Sequence, residues 1–449
     1  MSSFLAFSSD TLTKKVDTTI HETKEFDQTI IRQSKVYWDS HLRIRHESWN
    51  NQEDLNGDLD DLYTFYRVKT YLGGGYRFTK NLKFYTRVIN ESRFYSHKGN
   101  GDTILEGDHY FRPEEHYFEL VFGQLYLDWS NIGGKPLTIR IGRQNLHNKG
   151  FGDQWLIGDG TPIDGSKTFY FNAIRTNYKF SKSSSLDFVL LKNFENDPLV
   201  IYSEIEKSVT NITDEYGGWL WYKNHGKKSF NYDFYYIYKN EKGGSINHRS
   251  LASSIHTVGA QIKPESEHLW LNAQSAIQAG TYGSNGRLGY GSIIYGGYKL
   301  KIKNSEFKVG PWYMYHSGDD PNTKRVESFN NLYGGYPNDD ELYINTWANE
   351  SGTSMWTNIN LIGAYVQLKS TSKYNIRFWY HYMMANENVA GDFFGKGKFR
   401  GHMIMFKAMG EFGKKLKAYY MFEYLKPGDF YFNNSDDAIL SRINLEWYF

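Results

Sequence analysis

From residue 35 to the C-terminal phenylalanine, apolar and polar positions alternate with a period of two, the periodicity of a β-strand with unlike faces. In "VYWDSHLRIRHE", Trp38, Ser40, Leu42 and Ile44 share one face, and Asp39, His41, Arg43, Arg45 and Glu47 share the other. In "LYTFYRVKTYL", Arg67 and Lys69 oppose Tyr66, Val68 and Leu72; in "LKFYTRVINES", Arg87 and Glu91 oppose Phe84 and Val88. Arg175 and Asn177 oppose Ile174, Thr176, Tyr178 and Phe180, and Arg377, Trp379 and His381 oppose Ile376, Phe378, Tyr380 and Tyr382. The chain ends "RINLEWYF", with Ile443, Leu445, Trp447 and Phe449 on one face and Arg442, Asn444, Glu446 and Tyr448 on the other. Short polar or glycine-rich breaks such as "GGGYRFTKN", "SNIGGKP", "KIKNSE" and "EFGKKL" alternate with longer ones at 93–115, 145–168, 195–215, 240–255, 317–357 and 384–398. Tight turns at one end and long loops at the other predict an all-β fold, an antiparallel up-and-down barrel of about eighteen strands. A propeller would repeat a signature every 40 to 50 residues or so, and none recurs.

Composition places that barrel in a membrane. Mean hydropathy is −0.63, and no run of about 18 apolar residues exists, which excludes a transmembrane helix. Barrel strands are only half apolar, so a polar average is compatible with spanning a bilayer. An aromatic content of 18% fits the girdles at the two membrane interfaces. The expected location is the outer membrane of a Gram-negative bacterium, with Phe449 closing the lipid-facing row as the insertion signal for the barrel-assembly machinery. Residues 1–34 read as a polar N-terminal segment ahead of a single barrel domain, 35–449. The opening "MSSFLAFSSDTLTKK" has a very short apolar run and no cleavage pattern, so the expectation is a mature form with an added or altered start.

The candidate chemistry lies on the wet parity. Arg43, Arg45, Arg67, Lys69, Arg87, Arg140, Arg175, Arg377 and Arg442 fall there, accompanied by the acids Glu47, Glu91, Asp187, Asp233 and Glu446. Arg143 shares a side with Ile139 and Ile141, and a bulge at Gly142 would bring it to the lumen. An eighteen-stranded barrel leaves an aqueous channel, and guanidinium forks suit carboxylates. Trp379 and Tyr37 could offer faces to sugar rings. The longest break, 317–356, is too long to be idle and is expected to fold into the lumen as a gate, with Asp319, Asp320, Lys324 and Arg325 on it. The pairs Asp319–Asp320 and Asp339–Asp340 lack EF-hand spacing and read as solvated loop rather than a calcium site. No cofactor or metal is expected: cysteine is absent, and histidines have no ligand spacing. His381 and Asp187 stand apart from any catalytic set, so an enzyme is not expected. Formal charge is +2, from 52 basic and 50 acidic residues, and no basic run interleaves with aromatics, so nucleic acid is not an expected partner.

Four stretches in consistent order carry a family resemblance. "GRQNLHNKGFGDQWLIGD" (142–159) with "FYFNAIRTNY" (169–178), "SGDDPNTKRVESFNNLY" (317–333), "YLKPGDF" (424–430) and "RIRHE" (43–47) resemble the alginate-export family of outer-membrane barrels. Asn172 stands where that family has Asp, and Met403 and Met405 stand where it shows two lumenal acids. The resemblance implies passive conduction of an anionic polysaccharide, alginate or a similar polyuronate, with periplasmic export partners. The alternative is a porin taking up small anionic sugars or oligouronates.

Overall fold

The computed structural model describes residues 35–449 apart from 53–54, 59–61, 98–116, 147–148, 153–155, 158–170, 204–213, 228, 244–250, 335–356, 371–372 and 392–393. The N-terminal segment 1–34 and the pair Asp339–Asp340 lie outside the described residues. The strands are β1 (Val36–Asn50), β2 (Tyr63–Arg77), β3 (Leu82–His97), β4 (Tyr117–Ser130), β5 (Leu137–Gln144), β6 (Phe171–Lys179), β7 (Ser184–Asn193), β8 (Val200–Ser203), β9 (Glu215–Lys227), β10 (Phe230–Glu241), β11 (Ser253–Pro264), β12 (Leu269–Tyr282), β13 (Asn285–Ile302), β14 (Ser305–His316), β15 (Ile359–Ser370), β16 (Tyr374–Met384), β17 (Phe399–Phe412), β18 (Leu416–Pro427) and β19 (Ala438–Tyr448). Each pairs antiparallel with its neighbours, except that β7 pairs directly with β9 and the short β8 docks on β4. β1 pairs with β19, opposing Glu47 to Arg442, and the ring closes with eighteen strands.

Connections at one end run from two to six residues, as at 303–304 and 131–136; the loops at the other end include 145–170, 317–358 and 385–398. The alternation follows from loop composition, as expected from the sequence. One long-end connection departs from it: β12 and β13 are joined by only two residues, 283–284.

Closure decides which parity faces which medium. Trp38, Leu72, Val258 and Ile362 are 59–65% exposed on the outside, a coat that only a bilayer covers. Inside, the wall divides into two arcs. From β19 through β1 to β7 it is charged. From β13 to β18 it carries an apolar cluster of Tyr295, Trp312, Met314, Met383, Met403, Met405 and Leu425, with the buried cations Arg287, Lys299, Lys308, Arg377, Arg400 and Lys407 on the same strands. Tyr295 and Trp312 stack with centroids 4.2 Å apart. Trp379 belongs to this cluster and is buried, so it is packing rather than an open face for sugar rings. Tyr37 is half-buried against Tyr85 and donates to the Phe84 carbonyl. A Cβ on Gly75 would strike the Tyr37 ring, and one on Gly73 would strike the Tyr85 hydroxyl; "GGGY" therefore lies within β2 and makes room for inward aromatics.

Candidate functional site

On the charged arc the predicted residues come together. Glu47 is fully buried and accepts from Arg67 (Nη1, 2.8 Å), Arg442 (Nη2, 2.8 Å), Trp49 (Nε1, 3.0 Å) and Arg45 (Nη1, 3.5 Å). Arg45 continues to Asn444 and to the Tyr419 hydroxyl. Next along the wall, Glu91 takes Arg43 at 3.4 Å, Arg67 at 3.4 Å and Lys69 at 3.6 Å. Glu446 receives the Asn444 amide and the Tyr448 hydroxyl, with His41 at 3.6 Å. Strands β19, β1, β2 and β3 present these groups at adjacent register positions, which is why alternate residues far apart in sequence form one network.

Farther round, the pairs are separate. Arg87 binds Asp39 at 2.7 Å and lies 3.9 Å from the centre of the Tyr71 ring. Arg140 binds Asp128 at 2.8 Å and lies over Tyr126. Arg175 and Lys223 share Asp187. Asp233 accepts from Trp221 and pairs with His225. Arg377 is buried, 5.9 Å from the Trp379 ring. Phe449 is half-exposed, and its N–H bonds the Ser40 carbonyl.

The expected bulge for Arg143 is not there. Pairing runs unbroken from Thr138 to Arg143 against β4 and on to Gln144 against β6; Gly142 itself has φ +121°, and Arg143 is buried where Ile141 is exposed. It forks onto Asp197 with both terminal nitrogens and also donates to Asn172 and the Phe122 carbonyl. The Asn at 172, where the resembled family has Asp, thus serves as a neutral acceptor for this clamp. The clamp holds 194–199, the approach to β8. Arg143→Ala should therefore expose that stretch to limited proteolysis while wild type resists; equal digestion would remove this role.

The described half of the long loop folds inward. Val326 bonds Gly286 and Leu288 on β13 (2.9 Å each). Gln278 on β12 donates to the Asn330 carbonyl and accepts the Asn330 N–H, both at 2.7 Å. On β10, Lys239 donates to the Leu332 carbonyl at 2.6 Å, and the Tyr333 hydroxyl donates to the Tyr238 carbonyl at 2.9 Å. Phe329, Leu332 and Tyr333 are buried with Phe171, Trp219 and Ile237. Residues 317–334 thus follow the inner wall from β14 round to β6, where Tyr333 N–H meets the Leu156 carbonyl of the 145–170 loop. Glycines permit the approach: a Cβ on Gly289 would sit 3.1 Å from Phe329 Cα, and one on Gly217 would strike the Tyr333 hydroxyl. Asp319 accepts the Glu327 N–H at 2.7 Å, and burial pushes its carboxyl up. Asp320 accepts the Asn322 N–H, while Lys324 and Arg325 are exposed. Among the described residues no group of His, Asp and Glu is placed to hold a metal ion.

Three residues with roles here were not singled out from sequence. Lys223 donates to the Lys149 carbonyl and draws in the 145–151 stretch. Arg400, fully buried, holds the Thr357 and Asn358 carbonyls where the long loop returns. Gln278 carries no charge to mark it. Among the described residues, fifteen Lys and Arg are buried against eight Asp and Glu, in a chain of net charge +2.

A family model described as alginate export matches residues 112–390, more than half of the chain. No curated protein matches. Among solved structures the chain is similar to Acinetobacter baumannii OccAB1 (10% identity, TM-score 0.58, 92% of this chain and 96% of that one). It is also similar to A. baumannii OccAB2 (12%, 0.55, 92% and 98%) and to a BenF-like porin from Pseudomonas fluorescens Pf-5 (10%, 0.53, 92% and 98%). At these identities the likeness is one of fold.

Proposed function

The chain belongs to the alginate-export family and is a porin-like channel of the Gram-negative outer membrane, and on that premise we propose that it passively conducts an anionic polysaccharide, alginate or a similar polyuronate. The observation that carries this reading is the excess of buried cations over buried carboxylates. Most named arginines are partnered by an acid on the wall, so they do not act as free binding sites. They set a positive field with many shallow minima, and a polymer that must enter and also leave needs weak sites in series rather than one tight site. Domain limits of 35–449, a gating role for 317–356 and recognition of Phe449 by the assembly machinery belong to the same proposal.

A second reading, uptake of small anionic sugars or oligouronates, is favoured by the pinned segment 317–334, which takes up room along the inner wall. Single-channel recording in planar bilayers separates the two. The conduit reading expects anion selectivity and block by long as well as short oligouronates. Flux of short oligouronates with exclusion of long ones would favour uptake. Arg67→Gln/Arg175→Gln removes two cations and leaves Glu91 and Asp187 undercompensated, so the reversal potential should shift toward cation preference. An unchanged potential would sink the electrostatic argument.

A further inference from the structure

Arg287 differs from the other inner-wall arginines. It faces inward from β13 and is 3% exposed, yet none of its three guanidinium nitrogens has a hydrogen-bond partner among the described residues. Its nearest ring, Tyr282, lies 5.4 Å away. Two carboxylates act on it electrostatically, Glu241 and Asp319, but each is engaged elsewhere. Glu241 pairs with Lys239 at 2.7 Å, and Asp319 accepts the Glu327 N–H. Its backbone is held on both sides: Val326 N–H bonds the Gly286 carbonyl, and Leu288 N–H bonds the Val326 carbonyl. A guanidinium stays charged at any physiological pH, and a buried charge without a partner is costly. On the charged arc the fold meets that cost with an acid on the next strand, as Glu47 does for Arg67 and Arg442. Here it supplies none.

The location explains what could come instead. The last residue of β14, His316, pairs with Gly291, so at the long-loop end residues 285–289 of β13 have β12 on one side and no strand on the other. The loop segment around Val326 lies along that edge, in a parallel bridge with Arg287. We propose that Arg287 is the receiving group of a carboxylate-binding site beneath the long loop, taking one uronate carboxylate of the polymer in a two-point fork, an assignment that rests on the conduit reading above. A planar carboxylate matches the fork and supplies two acceptors to donors that have none. Phosphate shares that geometry, so the probes must separate the two.

The test uses the full chain in lipid nanodiscs, with calorimetric titration of trigalacturonate, acetate and inorganic phosphate at fixed ionic strength. Arg287→Gln should weaken trigalacturonate about tenfold or more, and Arg287→Lys, which keeps the charge but loses the fork, should weaken it less. Arg287→Gln should also raise the thermal unfolding temperature, since it removes an unpaired buried charge; a purely structural arginine would lower it. Equal trigalacturonate affinity in wild type and Arg287→Gln overturns the site, and if that ligand still blocks conductance in both, the conduit reading survives. Phosphate bound more tightly than any carboxylate overturns the carboxylate assignment. Acetate binding that depends on Arg287, with no trigalacturonate binding or block, supports a small-carboxylate site and overturns its link to polyuronate together with the conduit reading.

Discussion

Glu47→Gln is expected to cost about 3–5 kcal/mol of barrel stability, the usual consequence of removing one partner from a buried ionic cluster. The side chain keeps its volume, so no cavity term enters, and the loss comes from charge alone. Three guanidinium groups, from Arg45, Arg67 and Arg442, converge on that carboxylate. Without it they repel one another where water does not reach. The cluster also straddles the seam where β1 meets β19, the pairing that joins the two ends of the sheet. Urea unfolding in detergent micelles should show the midpoint falling, and unboiled samples should lose the compact electrophoretic form at lower temperature. Adding Arg442→Gln to Glu47→Gln should recover part of the loss, because one of the stranded charges goes with it. A midpoint unchanged within about 0.5 kcal/mol would mean that the network is solvated and has little structural weight.

Strand parity was legible because each barrel strand meets two unlike media, so Arg43, Arg45, Arg67 and Lys69 could be assigned to one side by counting. Parity has a period of two and fails at any local departure from the ladder. Gln124 and Phe122 are successive partners of Arg87 and Val88 in β3, and the skipped Gly123 exchanges the faces of β4 there. At Arg143 the glycine before it suggested a bulge, and the pairing kept its register although Gly142 takes a positive φ. The pairing of charges was not legible at all. Glu47 and Arg442 are 395 residues apart in sequence and meet only because the barrel closes. Arg287 looked like one more alternating cation beside a turn. Its isolation follows from how far β13 outruns β14, a property of strand lengths in space that composition does not encode. The apolar arc could be anticipated only in part, from Met403 and Met405 on the wet parity. At the other end of the chain, Phe449 N–H bonds the Ser40 carbonyl of β1, which ties this residue to the seam.

Deleting residues 319–333 should raise single-channel conductance roughly threefold or more, because ion flow is set by the narrowest section and this segment takes up room along a large part of the inner wall. Its fixation is specific. The Gln278 amide meets both backbone groups of Asn330, Lys239 and Tyr333 tie the next turn to β10, and Phe329 is fully buried beside the Gly289 backbone. A buried phenylalanine replaced by alanine costs about 3–5 kcal/mol when the surroundings cannot collapse. Phe329→Ala combined with Gln278→Ala should therefore release the segment without shortening it. The two variants make different predictions from one cause. Deletion gives a steadily larger current; release gives a current that fluctuates between the wild-type level and the larger one, since the freed loop still visits the lumen. Restoring Gln278 in the released variant should return part of the quiet, small current, because its amide again holds both backbone groups of Asn330. If deletion leaves conductance unchanged, the narrowest section lies elsewhere on the wall, and the charged arc around Glu47 and Glu91 becomes the place to look for it.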